Sequence, residues 1–293
     1  MMKSMNERII EQDVETTSRD GVLLKGRLWT RSNGASPRGT LVIAHGLGEH
    51  GGCYRHVVEA LAEFAEIDAI AFDFRGHGRS PGRRGVVRCH DDLTLDLLAS
   101  LEFAARARPV APIVLLGHSN GGLVAIKTLL HEQVPDVRAL ILSNPALRLS
   151  VEVPRWKLTL GKILRATAPT LTLSAALPID RLTRDPSCHP DRASDRLRHS
   201  RTSPGLFFGM VEHGEAVRNR AREIEVSTLL ILGGADSVVD PAASRAFFDA
   251  LGGEDKTLLL HPEAVHEPLN DLDRRAILAD FGKWLAERVG TRF

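Results

Sequence analysis

Three separated stretches of this 293-residue chain hold residue types that together could cleave an acyl bond through a covalent intermediate. Gly117-His118-Ser119-Asn120-Gly121 has the form G-x-S-x-G, between an apolar run at 113–116 and a helical pattern starting near Gly121. A serine on such a turn is strained and projects its hydroxyl above the sheet, while flanking glycines let strand and helix approach without Cβ clashes. The pentapeptide alone arises by chance in roughly one chain in ten of this length, so its context decides. Gly78-Arg79-Ser80-Pro81-Gly82 also fits, but no helix follows it, and Pro81 lacks the N–H that the residue after a nucleophile must offer. Ser80 is therefore read as a loop residue.

A serine hydroxyl is a weak nucleophile until a histidine takes its proton, and that histidine needs a carboxylate to fix its tautomer and stabilise the imidazolium. In a sheet of this kind the chain order is Ser, then Asp or Glu, then His. After the run 228–232 comes Gly233-Gly234-Ala235-Asp236-Ser237-Val238-Val239-Asp240, and after 257–260 comes His261-Pro262-Glu263-Ala264-Val265-His266. Asp240 precedes Pro241 and a helical pattern, which suits an N-cap, so Asp236 is the expected acid. His261 lies at the strand end, whereas His266 sits deeper in its loop with more reach toward Ser119. His266 is the preferred base.

Negative charge on the former carbonyl oxygen requires two convergent backbone N–H donors. Asn120, next after the nucleophile, supplies one. The loop His45-Gly46-Leu47-Gly48-Glu49-His50 should supply the other from Leu47, because Gly46 and Gly48 let the backbone turn. This choice concerns position, since any residue except proline could donate there. Glu49 and His50 could bond substrate hydroxyls, with helix capping or loop bracing an equal reading. Asp73, Arg75 and His77 read as loop hydrogen-bonders that shape the floor of the site. Cys188 and His189, with Asp185 and Asp191, match no usual zinc spacing, and no metal or cofactor is expected.

The elements that must position these residues follow from periodicity. Short β-branched or leucine-rich runs at 40–44, 69–72, 113–116, 139–142, 228–232 and 257–260 alternate with helical patterns at 54–65, 91–107, 121–131, 241–251 and 273–288. That alternation predicts a mostly parallel, doubly wound α/β sheet whose ligands sit at the carboxyl ends of the strands. Residues 22–29 alternate apolar and polar and read as an antiparallel edge strand. From 145 to 225 the alternation stops. The expected organisation is therefore a core from 1–144 and 226–293 interrupted by a helical cap insertion at 145–225. Its Arg155-Trp156-Lys157 and Lys162-Ile163-Leu164-Arg165 could cover a hydrophobic substrate or touch a lipid surface, but packing on the core is the preferred reading for most of them.

With 38 basic and 37 acidic residues, nothing global draws the chain to nucleic acid. Cys53, Cys89 and Cys188 are odd in number and widely spaced, which suits a reducing compartment. The polar stretch from Met1 to Asp20 has no apolar core of a secretory signal or membrane span, so a cytoplasmic setting is expected.

Together these residues resemble the monoacylglycerol lipase and lysophospholipase branch of the α/β-hydrolases, from about Gly21 to the C-terminus. The most specific element is His45-Gly46-Leu47-Gly48-Glu49-His50, similar to that branch's HGxGEH loop. Phe72-Asp73-Phe74-Arg75-Gly76-His77-Gly78-Arg79-Ser80 resembles its D-x-x-G-H-G-x-S segment, and Thr183-Arg184-Asp185-Pro186 resembles part of its lid. The resemblance implies an α/β-hydrolase fold, Asp236 and His266 as acid and base, and Leu47 and Asn120 as oxyanion donors. It also implies hydrolysis of monoacylglycerols or lysophospholipid-like esters, with transient membrane or micelle contact through the cap. Asn120 departs from the family, which commonly has methionine there, and is expected to alter the pocket wall. Short-chain esterase, aminopeptidase-like or acyltransferase chemistry on the same residues is the alternative, and a non-catalytic ligand-binding protein is the reading from another class.

Overall fold

The computed structural model describes residues 9–32, 34, 36–131, 133–150 and 154–290. The reading of the N-terminal stretch as neither signal nor membrane span falls in part on residues 1–8, which lie outside the described residues. In chain order the strands are β1 (Ile9–Thr17), β2 (Leu23–Arg31), β3 (Gly39–Ala44), β4 (Ile67–Phe72), β5 (Ile113–His118), β6 (Val137–Ser143), β7 (Leu173–Ser174), β8 (Arg201–Thr202), β9 (Ser227–Gly233) and β10 (Lys256–His261). The helices are α1 (Arg55–Leu61), α2 (Asp91–Ala107), α3 (Asn120–Leu129), α4 (Arg155–Thr167), α5 (His189–Ser194), α6 (Pro204–Asn219), α7 (Pro241–Asp249) and α8 (Arg274–Gly290).

Eight strands form one sheet in the order β1-β2-β4-β3-β5-β6-β9-β10. From β4 to β10 all neighbours are parallel, while β1 and β2 run antiparallel at one end. The period-2 pattern of the strands builds a core on each face. Val42, Ala44, Ile70 and Leu115 pack with buried residues of α2, α3 and α7. Leu41, Ile43, Ala69 and Leu116 pack with those of α1 and α8. The central strands are apolar on both faces, as a sheet covered twice requires.

The edge assignment needs correction. The 22–29 run belongs to β2, which lies inside the sheet between β1 and β4. The true edge, β1, carries Glu11, Gln12, Asp13 and Glu15 on a largely exposed strand. Side-chain bonds help hold it: the Glu11 carboxylate accepts from Arg27 Nε at 3.0 Å and from Trp29 Nε1 at 2.9 Å. A strand fixed by pairing and polar bonds leaves no apolar alternation to read.

After β6 the chain leaves the sheet and returns only at β9; in between lie α4, α5, α6 and the two-stranded β7–β8 pair. The packing reading of Arg155-Trp156-Lys157 and Lys162-Ile163-Leu164-Arg165 needs correction, because all of them but the half-buried Leu164 are exposed. The helix that packs on the core is α6, where Leu206, Phe208, Met210 and Val217 are buried. In α4 only Gly161 is buried, close against the Phe208 ring, while Trp156 is 64% exposed and Ile163 54%. Among the described residues, no helix is long and apolar enough to cross a membrane.

Candidate active site

Ser119 sits between β5 and α3 with φ 52° and ψ −121°, a left-handed geometry that a non-glycine residue adopts only when its surroundings enforce it. Its N–H donates to Ser143 O at 3.0 Å, and its own carbonyl accepts from the N–H groups of Gly122, Leu123 and Ala146 at 2.9–3.2 Å. The approach of helix to strand requires glycine at 121, where a Cβ would lie 2.1 Å from Ala44 O.

The carboxyl ends of β9 and β10 bring the other two groups to this serine. Ser119 Oγ lies 2.9 Å from His266 Nε2, and His266 Nδ1 lies 2.8 Å from Asp236 Oδ2. Asp236 Oδ1 accepts from the N–H groups of Val238 at 2.7 Å and Val239 at 3.0 Å, which aims the second oxygen at the imidazole. With an acceptor on Nδ1, the neutral ring carries its proton there and turns its Nε2 lone pair to the serine. His266 is 4% exposed and Asp236 6%, so solvent competes little for either bond. Asp240 lies outside this set and caps α7, accepting from Ala242 N at 2.8 Å. His261 ends β10.

Leu47 lines the same cavity as Ser119. The backbone N–H of Asn120 falls in the first turn of α3, where a helix has no acceptor of its own. Glu49 braces the Leu47 loop: its Oε2 accepts from Gly46 N at 2.9 Å and from Tyr54 OH at 2.8 Å. Burial alone would raise the Glu49 pKa, but the neighbouring Arg198, with His118, Arg192 and the Tyr54 hydroxyl, holds it well below the usual carboxylate range. His50 caps the short turn at Gly51–Tyr54 by accepting from Gly52 N. Bracing and capping are thus what the structure shows for this pair.

Two expectations change. The Asn120 side chain does not line the cavity; it is 2% exposed and its Oδ1 accepts from His90 Nε2 at 2.9 Å. Asp73, Arg75 and His77 do not form the cavity floor either. Asp73 instead accepts from Gly51 N and Arg79 N, both at 2.7 Å, and Arg75 bonds Asp20 and Asp96. These residues hold loops beneath the site. Ser80 is buried, donating to Asp73 O and accepting from Lys25 N.

Above Ser119 opens a cavity of about 370 Å³. Leu47, Leu149, Leu177, Met210, Val238 and Val239 give it an apolar wall, and Glu49, Glu267, Arg192, Arg198 and Asp195 a charged one. These groups are already bonded in place: Arg192 with Glu267 at 2.7 Å, Arg198 with Glu49 at 3.3 Å, and Asp195 with the His50 imidazole at 2.7 Å and with Arg198 at 3.7 Å. Except for Asp195 with Arg198, each pair joins the β6–β9 excursion to a loop of the site.

Sequence reasoning missed the residues that tie the site loops together. Asn144, fully buried at φ 40°, directly follows β6. Its Nδ2 donates to Val265 O at 2.9 Å and His266 O at 3.0 Å, and its Oδ1 accepts from Gly233 N at 2.9 Å. One amide thus links the Asp236 and His266 loops. Asp271 accepts from Val265 N and from the Arg184 backbone and guanidinium at 2.8–3.0 Å. Position just beyond strands of the central sheet was the only available signal for Asn144.

Among the described residues two donor groups converge within 4.8 Å, His50 with Cys53 and Asp195, and Glu49 with His118 and Glu267. Burial and the nearby Glu49 push the Cys53 thiol up to about 12, which disfavours the thiolate a metal needs. In the second group both carboxylates are already paired with arginines.

The family model described as Serine aminopeptidase, S33 (Hydrolase_4) matches residues 35–273. A monoacylglycerol lipase of Mycolicibacterium smegmatis is 30% identical over 271 residues, 92% of this chain and 95% of that protein. The human monoglyceride lipase is 28% identical over 279 residues, covering 93% and 89% of the two chains. The crystal structure of a Paleococcus ferrophilus monoacylglycerol lipase superimposes with a TM-score of 0.78 at 28% identity, covering 96% of this chain and 99% of that one.

Proposed function

This chain belongs to the α/β-hydrolase family described as Serine aminopeptidase, S33, in its monoacylglycerol lipase branch, and we propose on that footing that it hydrolyses monoacylglycerols through an acyl-enzyme on Ser119. Ser119 attacks the ester carbonyl as His266 takes its proton; Asp236 fixes the imidazole and stabilises the imidazolium. The Leu47 and Asn120 N–H groups hold the oxyanion. His266 then returns the proton to the leaving alcohol, and water, activated by the same imidazole, releases the fatty acid and restores Ser119. No group beyond these is needed for the steps. Residues 145–225 act as a cap over the cavity.

The observation that carries the substrate choice is that the charged wall is already bonded in place. Arg192 is committed to Glu267, and Arg198 to Glu49 and Asp195, whose carboxylate also bonds His50, so a phosphate would find no unpaired guanidinium there and a peptide ammonium no carboxylate without a partner. A neutral polyol asks only for hydrogen bonds, and the apolar wall takes the acyl chain. This favours a monoacylglycerol over a lysophospholipid or an aminopeptidase substrate. Lipid delivery is assigned to α4, whose Trp156, Leu160 and Ile163 share one exposed face flanked by Lys157 and Lys162. The three unpaired cysteines support a cytoplasmic setting.

The test is a panel of 1-monooleoylglycerol, the matching lysophosphatidylcholine and an aminoacyl p-nitroanilide. The expected kcat/KM for the glyceride exceeds the other two by at least about tenfold, a difference of roughly 1.4 kcal/mol. Equal or better turnover of either charged substrate would overturn the assignment.

A further inference from the structure

The polar side chain next to the nucleophile is not idle. Asn120 Oδ1 accepts from His90 Nε2 at 2.9 Å, and Lys127 Nζ lies 3.1 Å from His90 Nδ1 and 2.8 Å from Asp91 Oδ1. An ammonium can only donate, so His90 must accept at Nδ1 and carry its proton on Nε2, toward Asn120. The run of bonds therefore has a fixed direction, Lys127 to His90 to Asn120. It is buried: His90 is 1% exposed, Asn120 2%, and α6 presses on it, because a Cβ at Gly209 would lie 2.6 Å from His90 Cβ. Burial and the adjacent Lys127 hold the His90 pKa down to about 3, so the ring stays neutral and the direction holds near pH 7.

We propose that His90 is a positioning residue for the oxyanion hole: by gripping the Asn120 side chain it fixes the first turn of α3 and so aims the Asn120 backbone N–H. This rests on the reading of Asn120 as an oxyanion donor. The Ser119–Asn120 peptide is already held at its carbonyl by three N–H groups. That carbonyl and the Asn120 N–H share one planar unit, and the His90 bond adds a hold on its other flank, through the Asn120 side chain, against tilting of the peptide. A donor aimed at developing charge acts on the transition state and little on bound ester, so the signature is in kcat. The purely structural reading, two polar groups satisfying each other, predicts lost stability without that split.

The experiment measures kcat and KM for p-nitrophenyl butyrate in the full-length wild type, His90→Leu, His90→Gln, Asn120→Ala and the double variant His90→Leu/Asn120→Ala, each at a temperature where circular dichroism shows it folded. Removing an oxyanion donor outright costs roughly 10²–10³ in kcat, and misaiming it should cost about tenfold. The expected result is that loss in His90→Leu with KM within about twofold. Recovery is expected in His90→Gln, whose amide can donate to Asn120 Oδ1 and accept from Lys127. The double variant should be no slower than the single ones, because both break one interaction. If His90→Leu does not fold, Asn120→Ala must show the same kcat loss alone. A wild-type kcat in His90→Leu or Asn120→Ala, a loss confined to KM, or losses that multiply in the double variant would each overturn the proposal. A wild type without Ser119-dependent turnover would instead remove the reading beneath it.

Discussion

Replacing Asp236 by asparagine changes one atom of the site and should nearly silence it. Asp236 Oδ1 accepts from two backbone N–H groups, at 2.7 and 3.0 Å, and an asparagine oxygen can keep both bonds. That places the new Nδ2 2.8 Å from His266 Nδ1, where the carboxylate oxygen stood. Two N–H groups cannot face each other, so the imidazole must take the other tautomer and present its proton to Ser119. Keeping the productive tautomer forfeits a charge-assisted bond, about 1.5–3 kcal/mol, and leaves buried donors unsatisfied for about 1–3 kcal/mol more. The sum, roughly 2.5–6 kcal/mol, corresponds to a loss of about 10²–10⁴ in kcat. The assay is steady-state hydrolysis of p-nitrophenyl butyrate by wild type and Asp236→Asn, with thermal melts to show that the isosteric change leaves the fold intact. A folded variant with more than a tenth of wild-type kcat would refute the role of Asp236 and reopen the case for another acid.

Other consequences follow from the same contacts. Asn144→Ala removes three buried hydrogen bonds; urea denaturation should show a loss of about 2–4 kcal/mol, with a fall in kcat because the Asp236 and His266 loops come apart. Because the pKa of folded His90 is about 3, below its ordinary value, the unfolded chain binds the proton first on acidification. Stability from this group is whole above about pH 6.5 and is lost as pH falls toward 3. Between pH 6.5 and 5 the loss is about 2 kcal/mol, and His90→Gln, measured by denaturation at both pH values, should show a loss smaller by about that amount. Trp156→Ser with Ile163→Ser should weaken binding to phosphatidylcholine vesicles in a sedimentation assay about fivefold or more, from at least about 1 kcal/mol of apolar burial. Turnover of p-nitrophenyl butyrate should stay unchanged, since α4 is 13 residues long with only Gly161 buried.

What could be read from the sequence was what local chemistry specifies. Apolar runs and the flanking glycines marked β5 and α3 around Ser119, and chain order with strand ends selected Asp236 and His266; the structure brings those three side chains together. The illegible parts depend on contacts between distant segments. β1 is polar and owes its place to pairing with β2, so no periodicity announced it. Asn144 acts through carbonyls 121 and 122 positions away, and Asn120 through a histidine 30 residues earlier. Residue type alone suggested that Asn120 faced the pocket; the partner that turns it away is visible only in three dimensions. For α4, basic and apolar residues at helical spacing favoured a helix packed on the core, but an exposed helix carries the same pattern, and the burial of Gly161 alone shows that this one is exposed.

The central claim is that Ser119 carries the acyl group. Its most direct test is intact-mass spectrometry with peptide mapping after a fluorophosphonate probe, alongside 1-monooleoylglycerol hydrolysis, in wild type and Ser119→Ala. The expected result is one adduct on Ser119, glyceride turnover in wild type, and neither in the folded mutant. A wild type that is unlabelled at Ser119, or a folded Ser119→Ala that still hydrolyses the glyceride, would contradict it.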